Sequence, residues 1–158
     1  MRDTLLAGLA PVTACVVALA GLTTWTSFGA AGTPPRIRVE GARIFLPYAD
    51  RTETAAFFRI TNDGGSDDRL LSVTSPVTGT AMLSRHVSSG GGDGMRMVAS
   101  ARIPAETTLD MSPGGLDVMV TVPDGRLYRQ VGESLPFTLR FRYGGAVDTA
   151  VMVVRPGT

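Results

Sequence analysis

The sequence predicts an all-β domain with the two-layer packing of a Greek-key β-sandwich, placed behind an apolar N-terminal segment. From residue 36 onward, short apolar stretches alternate with turn-forming clusters such as Asn62-Asp63-Gly64-Gly65 and Pro113-Gly114-Gly115. No stretch of residues 36–158 keeps a helical period. The full length of 158 residues, less an N-terminal segment, suits one domain with one core.

The N-terminal segment, residues 1–31, predicts export. No charged residue lies between Thr4 and Pro35. Residues 5–22 are apolar over about the 20 residues that a membrane-spanning helix needs. We therefore expect an N-terminal signal or anchor helix, and a folded domain that is outside the cytoplasm.

The fate of this segment is left open by three features of the sequence. Gly29 and Ala31 suit cleavage by a signal peptidase, which accepts small residues at these positions. Val12-Thr13-Ala14-Cys15 has the form of a lipobox, in which the cysteine becomes a lipidated N-terminus. Retention as an anchor is the third alternative. In each case the domain is secreted or held at the outer face of the cell membrane, and only the N-terminal segment touches the membrane.

A linker at residues 32–35, ending in Pro34-Pro35, separates this segment from the domain at 36–158. The clearest strand is 135–143, where Leu135, Phe137, Leu139, Phe141 and Tyr143 alternate with other residues. Such alternation buries one face of a strand and exposes the other. Strands are predicted over 37–46, 55–61, 70–74, 80–86, 95–98, 107–110, 116–122, 135–143 and 149–154.

Charge and composition exclude several classes of function. The 15 basic and 14 acidic residues nearly cancel, so nucleic acid is not an expected partner. The only cysteine, Cys15, precedes the domain, which therefore has no disulfide. The only histidine is His86, and nothing around it indicates a nucleophile with an orienting acid. We expect a protein that is not an enzyme.

Methionines are the candidate functional residues. Met95 and Met97 are two apart in a predicted strand, so both point to one face. In 116–122 the apolar residues lie on one face. Asp117 and Met119 then lie on the opposite face, which is predicted to be solvent-exposed. A lone exposed methionine is ordinary and can be a gap-filler. Together with His86, however, these thioethers form a soft ligand set that suits Cu(I).

The spacing of these residues resembles a known family, the periplasmic copper chaperones called PCuAC. That family carries a His, ten residues, a Met, about twenty-one residues and His-x-Met on a cupredoxin-like β-sandwich behind a signal peptide. Here ten residues separate His86 from Met97, and residues 113–119 are similar to the family's Pro-Gly-Gly-x-His-x-Met. Asp117 stands where the family has its second His. Ser84 can align with the first His instead of His86, because 83–87 is similar to Leu-His-x-His-Val.

The resemblance implies a copper-binding chaperone. Its ligands would be His86, Met97 and Met119, with Met95 and Asp117 as accessory donors, and Cu(I) as the main ion and Cu(II) as a second one. The family role implies delivery of copper to a cuproenzyme such as the CuA site of cytochrome c oxidase, with oxidase assembly proteins as partners. The alternative is a metal-free β-sandwich module that has lost the site and binds a protein partner.

Overall fold

The computed structural model describes residues 2–27, 32–48, 51–89, 92–123 and 131–157. These residues belong to two compact units, Met1–Thr33 and Pro34–Thr158. Among the described residues, every strand and the hydrophobic core belong to the second unit.

The first unit contains the helix α1, Arg2–Ser27, which includes Pro11. Near its C-terminal end the hydroxyl of Thr24 donates to the carbonyl oxygen of Ala20 at 2.7 Å. Cys15 lies within α1 and is exposed. In the part of the chain that the structure describes, no helix is both long enough and apolar enough to cross a membrane. Gly29 and Ala31, the predicted cleavage positions, lie outside the described residues.

The second unit is built from β-strands. They are β1 (Ile37–Phe45), β2 (Glu53–Asn62), β3 (Asp68–Thr74), β4 (Ala81–Ser89), β5 (Gly92–Met97), β6 (Ala101–Ile103), β7 (Thr107–Asp110), β8 (Leu116–Thr121), β9 (Ser134–Phe141) and β10 (Ala146–Val154).

These strands form one curled sheet in the order β5-β4-β8-β2-β1-β10-β9-β3-β6, and β7 pairs with β2 beyond the end of β8. The pair of β1 and β10 is parallel, and the other pairs are antiparallel. The sheet curls into a half-barrel around its core, in which Phe58 and Phe137 meet edge to face at 6.0 Å. The predicted all-β, cupredoxin-like fold behind an N-terminal helix is confirmed.

One local prediction needs correction, and one strand was missed. Tyr143 was expected to share the buried face of its strand, but it is 70% exposed. The strand ends at Phe141, whose amide donates to the carbonyl oxygen of Gly145 at 2.7 Å, so Tyr143 falls in a turn. The short strand β6 was not predicted, because three residues are too few to show an alternating pattern.

The inner faces of β4 and β8 determine what their outer faces present. Leu83 of β4 and Val118 and Val120 of β8 are at most 5% exposed and belong to the core. Because successive side chains of a strand point to opposite sides, the residues between them point outward. The predicted buried set of β8 is therefore confirmed, and the outer side of these two strands carries the candidate ligands.

Candidate metal centre

The candidate site is formed by three neighbouring strands at one edge of the sheet, with β4 between β5 and β8. Ser84 of β4 lies opposite Met97 of β5 on one side and Asp117 of β8 on the other. Directly paired residues of an antiparallel ladder project to the same side of the sheet. Met97, Ser84 and Asp117 therefore form one row across the three strands.

Two further pairs extend this row along β4. His86 lies opposite Met95, and Met82 lies opposite Met119. Residues two apart in a strand share a face, so all of these side chains lie on the outer side of the sheet. We call this surface the methionine face; it consists of Met82, Ser84, His86, Met95, Met97, Asp117 and Met119.

The methionine face has an exposed rim and a buried floor. Met82, Met95 and Met97 are 48%, 45% and 51% exposed, whereas His86 and Met119 are half-buried. Ser84 is 0% and Asp117 is 4% exposed, although both point to the outer side of the sheet. Longer neighbouring side chains must therefore cover them. The prediction that Asp117 is solvent-exposed is wrong for this reason.

The floor is held by one polar contact, in which the hydroxyl of Ser84 donates a short hydrogen bond to Oδ1 of Asp117. Burial raises the pKa of the Asp117 carboxyl above its usual value, although the Ser84 hydrogen bond and the nearby His86 act in the opposite direction. One oxygen of this carboxyl is thus already engaged by Ser84.

The register determines which predicted ligands meet. His86 and Met95 are direct neighbours, with Cβ atoms about 5 Å apart, and His86 and Met97 are diagonal neighbours at about 7–8 Å. Met119 is opposite Met82, and the path along β4 from Met82 to His86 covers about 13 Å. The structure thus brings His86, Met95 and Met97 together and places Met119 at the other end of the face.

Two residues of the face were not predicted as its ligands. Met82 was predicted within a strand, but its place on this face was missed; its spacing of two residues from Ser84 and four from His86 is the pattern that could have identified it. Ser84 was an alternative to His86 in the sequence alignment. The register places Ser84, not His86, directly opposite Met97 and next to Asp117.

The donor chemistry of the face suits a soft ion. Thioethers and imidazole favour Cu(I), whereas Mg²⁺ and Ca²⁺ require several oxygen ligands. Structural zinc sites use Cys, His or carboxylate ligands. Among the described residues, no group of three or more His, Cys, Asp or Glu side chains could hold a metal ion. The face therefore fits Cu(I) better than zinc or a hard cation.

Comparison with known proteins gives matches over most of this unit. The family described as "Putative lipoprotein LpqE-like" matches residues 37–153. The protein described as "Putative lipoprotein Lxx21020", from Leifsonia xyli subsp. xyli (strain CTCB07), is 30% identical over 116 residues, which cover 73% of this chain and 69% of that protein.

Solved structures have the same fold. The copper-bound PCuAC domain from PmoF2 is 21% identical, with a TM-score of 0.63 over 78% of this chain and 96% of that one. The solution structure of CuI-DR1885 from Deinococcus radiodurans is 29% identical, with a TM-score of 0.58 over 74% of this chain and 77% of that one. The apo form of DR1885 is 30% identical, with a TM-score of 0.57 over 77% and 80% of the two chains. The fold is therefore PCuAC-like.

Proposed function

Because this chain belongs to the LpqE-like family and has a PCuAC-like fold, we propose that it is a copper-binding protein that works outside the cytoplasm. The observation that carries the proposal is the methionine face. The pairing of β5, β4 and β8 gathers four thioethers and the only imidazole of the chain on one open surface. Two of the similar structures are of copper-bound proteins.

The ligands of first choice are His86, Met95 and Met97. They are mutual neighbours on the β4–β5 hairpin, and the two methionines are about half exposed. Met119 and Asp117 complete the predicted set as donors from β8, although the hydrogen bond from Ser84 reduces the capacity of Asp117 to bind a metal. One nitrogen and two sulfur donors are a soft set, which favours Cu(I) over Cu(II).

The exposed position of the site supports a role in transfer. The face lies at the edge of the sheet, since β5 is the first strand in the order β5-β4-β8-β2-β1-β10-β9-β3-β6. A bound ion could be reached there by an acceptor protein without unfolding of the domain. We propose delivery to an extracytoplasmic cuproenzyme, with the CuA site of cytochrome c oxidase and its assembly proteins as the first acceptors to test.

The N-terminal segment would anchor the protein through a lipid on Cys15. The lipobox Val12-Thr13-Ala14-Cys15 and the lipoprotein descriptions of the family and of the Leifsonia relative support this alternative over simple cleavage. A Cys15→Ala variant should lose incorporation of labelled palmitate and should leave the membrane fraction. Equal labelling of the variant and the parent would contradict lipidation at Cys15.

The copper proposal is tested by a competition titration with a chromophoric Cu(I) chelator under anaerobic conditions. Met95→Leu/Met97→Leu should weaken Cu(I) affinity at least tenfold, about 1.4 kcal/mol, because leucine keeps the volume but offers no donor atom. Met152→Leu is the matched control, since Met152 is also 50% exposed but lies on β10. Unchanged affinity in the double variant would contradict the proposal.

A second candidate function is that of a metal-free module that binds a protein partner. Met82, Met95 and Met97 form an exposed apolar cluster on one face, and methionine-rich surfaces also bind protein partners. Absence of Cu(I) uptake by the unmodified chain in the same titration would favour this function.

A further inference from the structure

Met82 is a thioether on the methionine face that lies outside the predicted ligand set. It is 48% exposed, so its sulfur can reach solvent. It lies directly opposite Met119, with Cβ atoms about 5 Å apart, and it is a diagonal neighbour of Met97 at about 7–8 Å. Met82 thus lies between two thioethers that belong to different neighbouring strands.

Met119 lies far from the other predicted ligands and close to Met82. Met97 and Met119 are separated by two strand spacings and two residues along the strands, about 12 Å between Cα atoms. His86 is farther along β4 from Met119 than Met82 is. The direct neighbour of Met119 on the site is therefore Met82. If Met119 binds an ion, Met82 is the donor best placed to share it.

The three methionines surround a small, covered residue. Ser84 lies opposite Met97 and diagonal to Met119, and it is 0% exposed, so longer side chains lie over it. Its hydroxyl donates to Asp117, so the surface beneath these thioethers is a closed polar pair. Methionine is unbranched and has three rotatable side-chain bonds, which lets the thioethers swing over the floor.

Resting on the proposed function, we infer that Met82 is a copper ligand and that Met82, Met97 and Met119 form an all-thioether position for Cu(I). This position adjoins the one at His86 and Met95, and the two share Met97. Three thioethers without a nitrogen or oxygen donor select Cu(I) strongly over Cu(II) and Zn²⁺. Because both positions include Met97, an ion can move from the one at His86 and Met95 to the one at Met82 and Met119 without leaving the methionine face.

The inference is tested on residues 32–158, which contain the core and all strands that the structure describes. The probe is Cu(I), added anaerobically as its acetonitrile complex to protein carrying ¹³C-methyl methionine. The Met82 and Met119 methyl resonances should shift together with that of Met97, and Met82→Leu should suppress the Met119 shift and weaken Cu(I) affinity about tenfold. The Met152 methyl should not move, since Met152 is equally exposed but distant in the sheet.

Shifts confined to Met95 and Met97, with Met82 and Met119 unchanged, would overturn the inference and leave copper binding at the hairpin intact. No shift of any methionine methyl would overturn both the inference and the proposed function. Loss of the Met119 shift in Met82→Leu, with the chain still folded, would support the three-thioether position.

Discussion

At the scale of single residues, Asp117 shows how strongly its surroundings change the chemistry of a side chain. Its carboxyl lies on the outer side of β8, yet only 4% of the residue is exposed. Burial penalises the charged form and raises the pKa, and this effect exceeds the opposing effects of the Ser84 hydrogen bond and of His86. The methionines around it are therefore the more available donors of the face.

The raised pKa of Asp117 predicts a change in the pH dependence of stability. The folded state keeps this proton to a higher pH than the unfolded chain, so the contribution of Asp117 to stability falls as pH rises above about 4, where an ordinary aspartate ionises. In Asp117→Asn that loss is absent, because the amide does not ionise and its oxygen still accepts the Ser84 hydrogen bond. Urea unfolding of metal-free protein from about pH 4 to about pH 7 should show a growing stability advantage for the variant. Parallel pH profiles would contradict this prediction.

Replacement of Ser84 and Asp117 by histidine is expected to strengthen copper binding. In the sequence resemblance Asp117 aligns with the second His of the PCuAC family, and the register places Ser84 beside it in the row with Met97. Ser84→His/Asp117→His should strengthen copper binding and add Cu(II) uptake, since imidazole binds both oxidation states. Arg85→His is the control, because Arg85 is exposed on the other side of β4. Equal Cu(II) affinities of the double variant and the control would contradict the prediction.

Asp117 also shows what could not be predicted from the sequence. Alternation with period two correctly predicts that Asp117 and Met119 share a face of β8. It cannot predict that Asp117 is buried against Ser84, because that partner lies on β4, which is distant in sequence. Only the pairing of β4 with β8 reveals this contact.

At the scale of elements, the β4–β5 hairpin determines the site. The sequence predicts both strands, but it leaves open whether Ser84 or His86 takes the first ligand position. The glycine-rich connection gives no fixed register, because glycines have no side chains to pack on one face. In the structure Ser84 pairs with Met97, and the pairing continues to Ser89 and Gly92. Gly90 and Gly91 lie outside the described residues.

The segment at the start of the domain leads to a second prediction at the scale of elements, which concerns stability. Oδ1 of Asn62 accepts hydrogen bonds from the amides of Arg36, at 3.1 Å, and Gly64, at 3.0 Å. A Cβ atom at Gly64 would lie 2.1 Å from the carbonyl oxygen of Pro34, which is backbone and cannot easily move.

Gly64→Ala should therefore lower the free energy of unfolding by about 1–3 kcal/mol, the usual cost of overpacking. Gly94→Ala is the matched control, since nothing lies within 4 Å of a Cβ there, and it should be nearly neutral. Denaturant unfolding measures both variants. If Gly64→Ala were as stable as Gly94→Ala, the backbone around Pro34 would have moved without loss of stability, and the prediction would be contradicted.

At the scale of the whole molecule, the fold was predictable because one side of most strands is apolar. The sets Leu116, Val118, Val120 and Leu135, Phe137, Leu139 are buried as expected. The continuity of one curled sheet was not predictable, because strand order depends on contacts between distant segments. That order creates the methionine face, since β5, β4 and β8 are neighbours at an open edge of the sheet.

X-ray absorption spectroscopy of residues 32–158, loaded with one equivalent of Cu(I), measures the identity of the copper ligands most directly. The methionine face predicts a first coordination shell dominated by sulfur, with at most one nitrogen from His86, because its soft donors are thioethers and one imidazole. Met95→Leu/Met97→Leu should lose most of the sulfur contribution. A first shell of nitrogen and oxygen alone, or protein that holds no Cu(I) after desalting, would contradict the assignment of this face as a copper site.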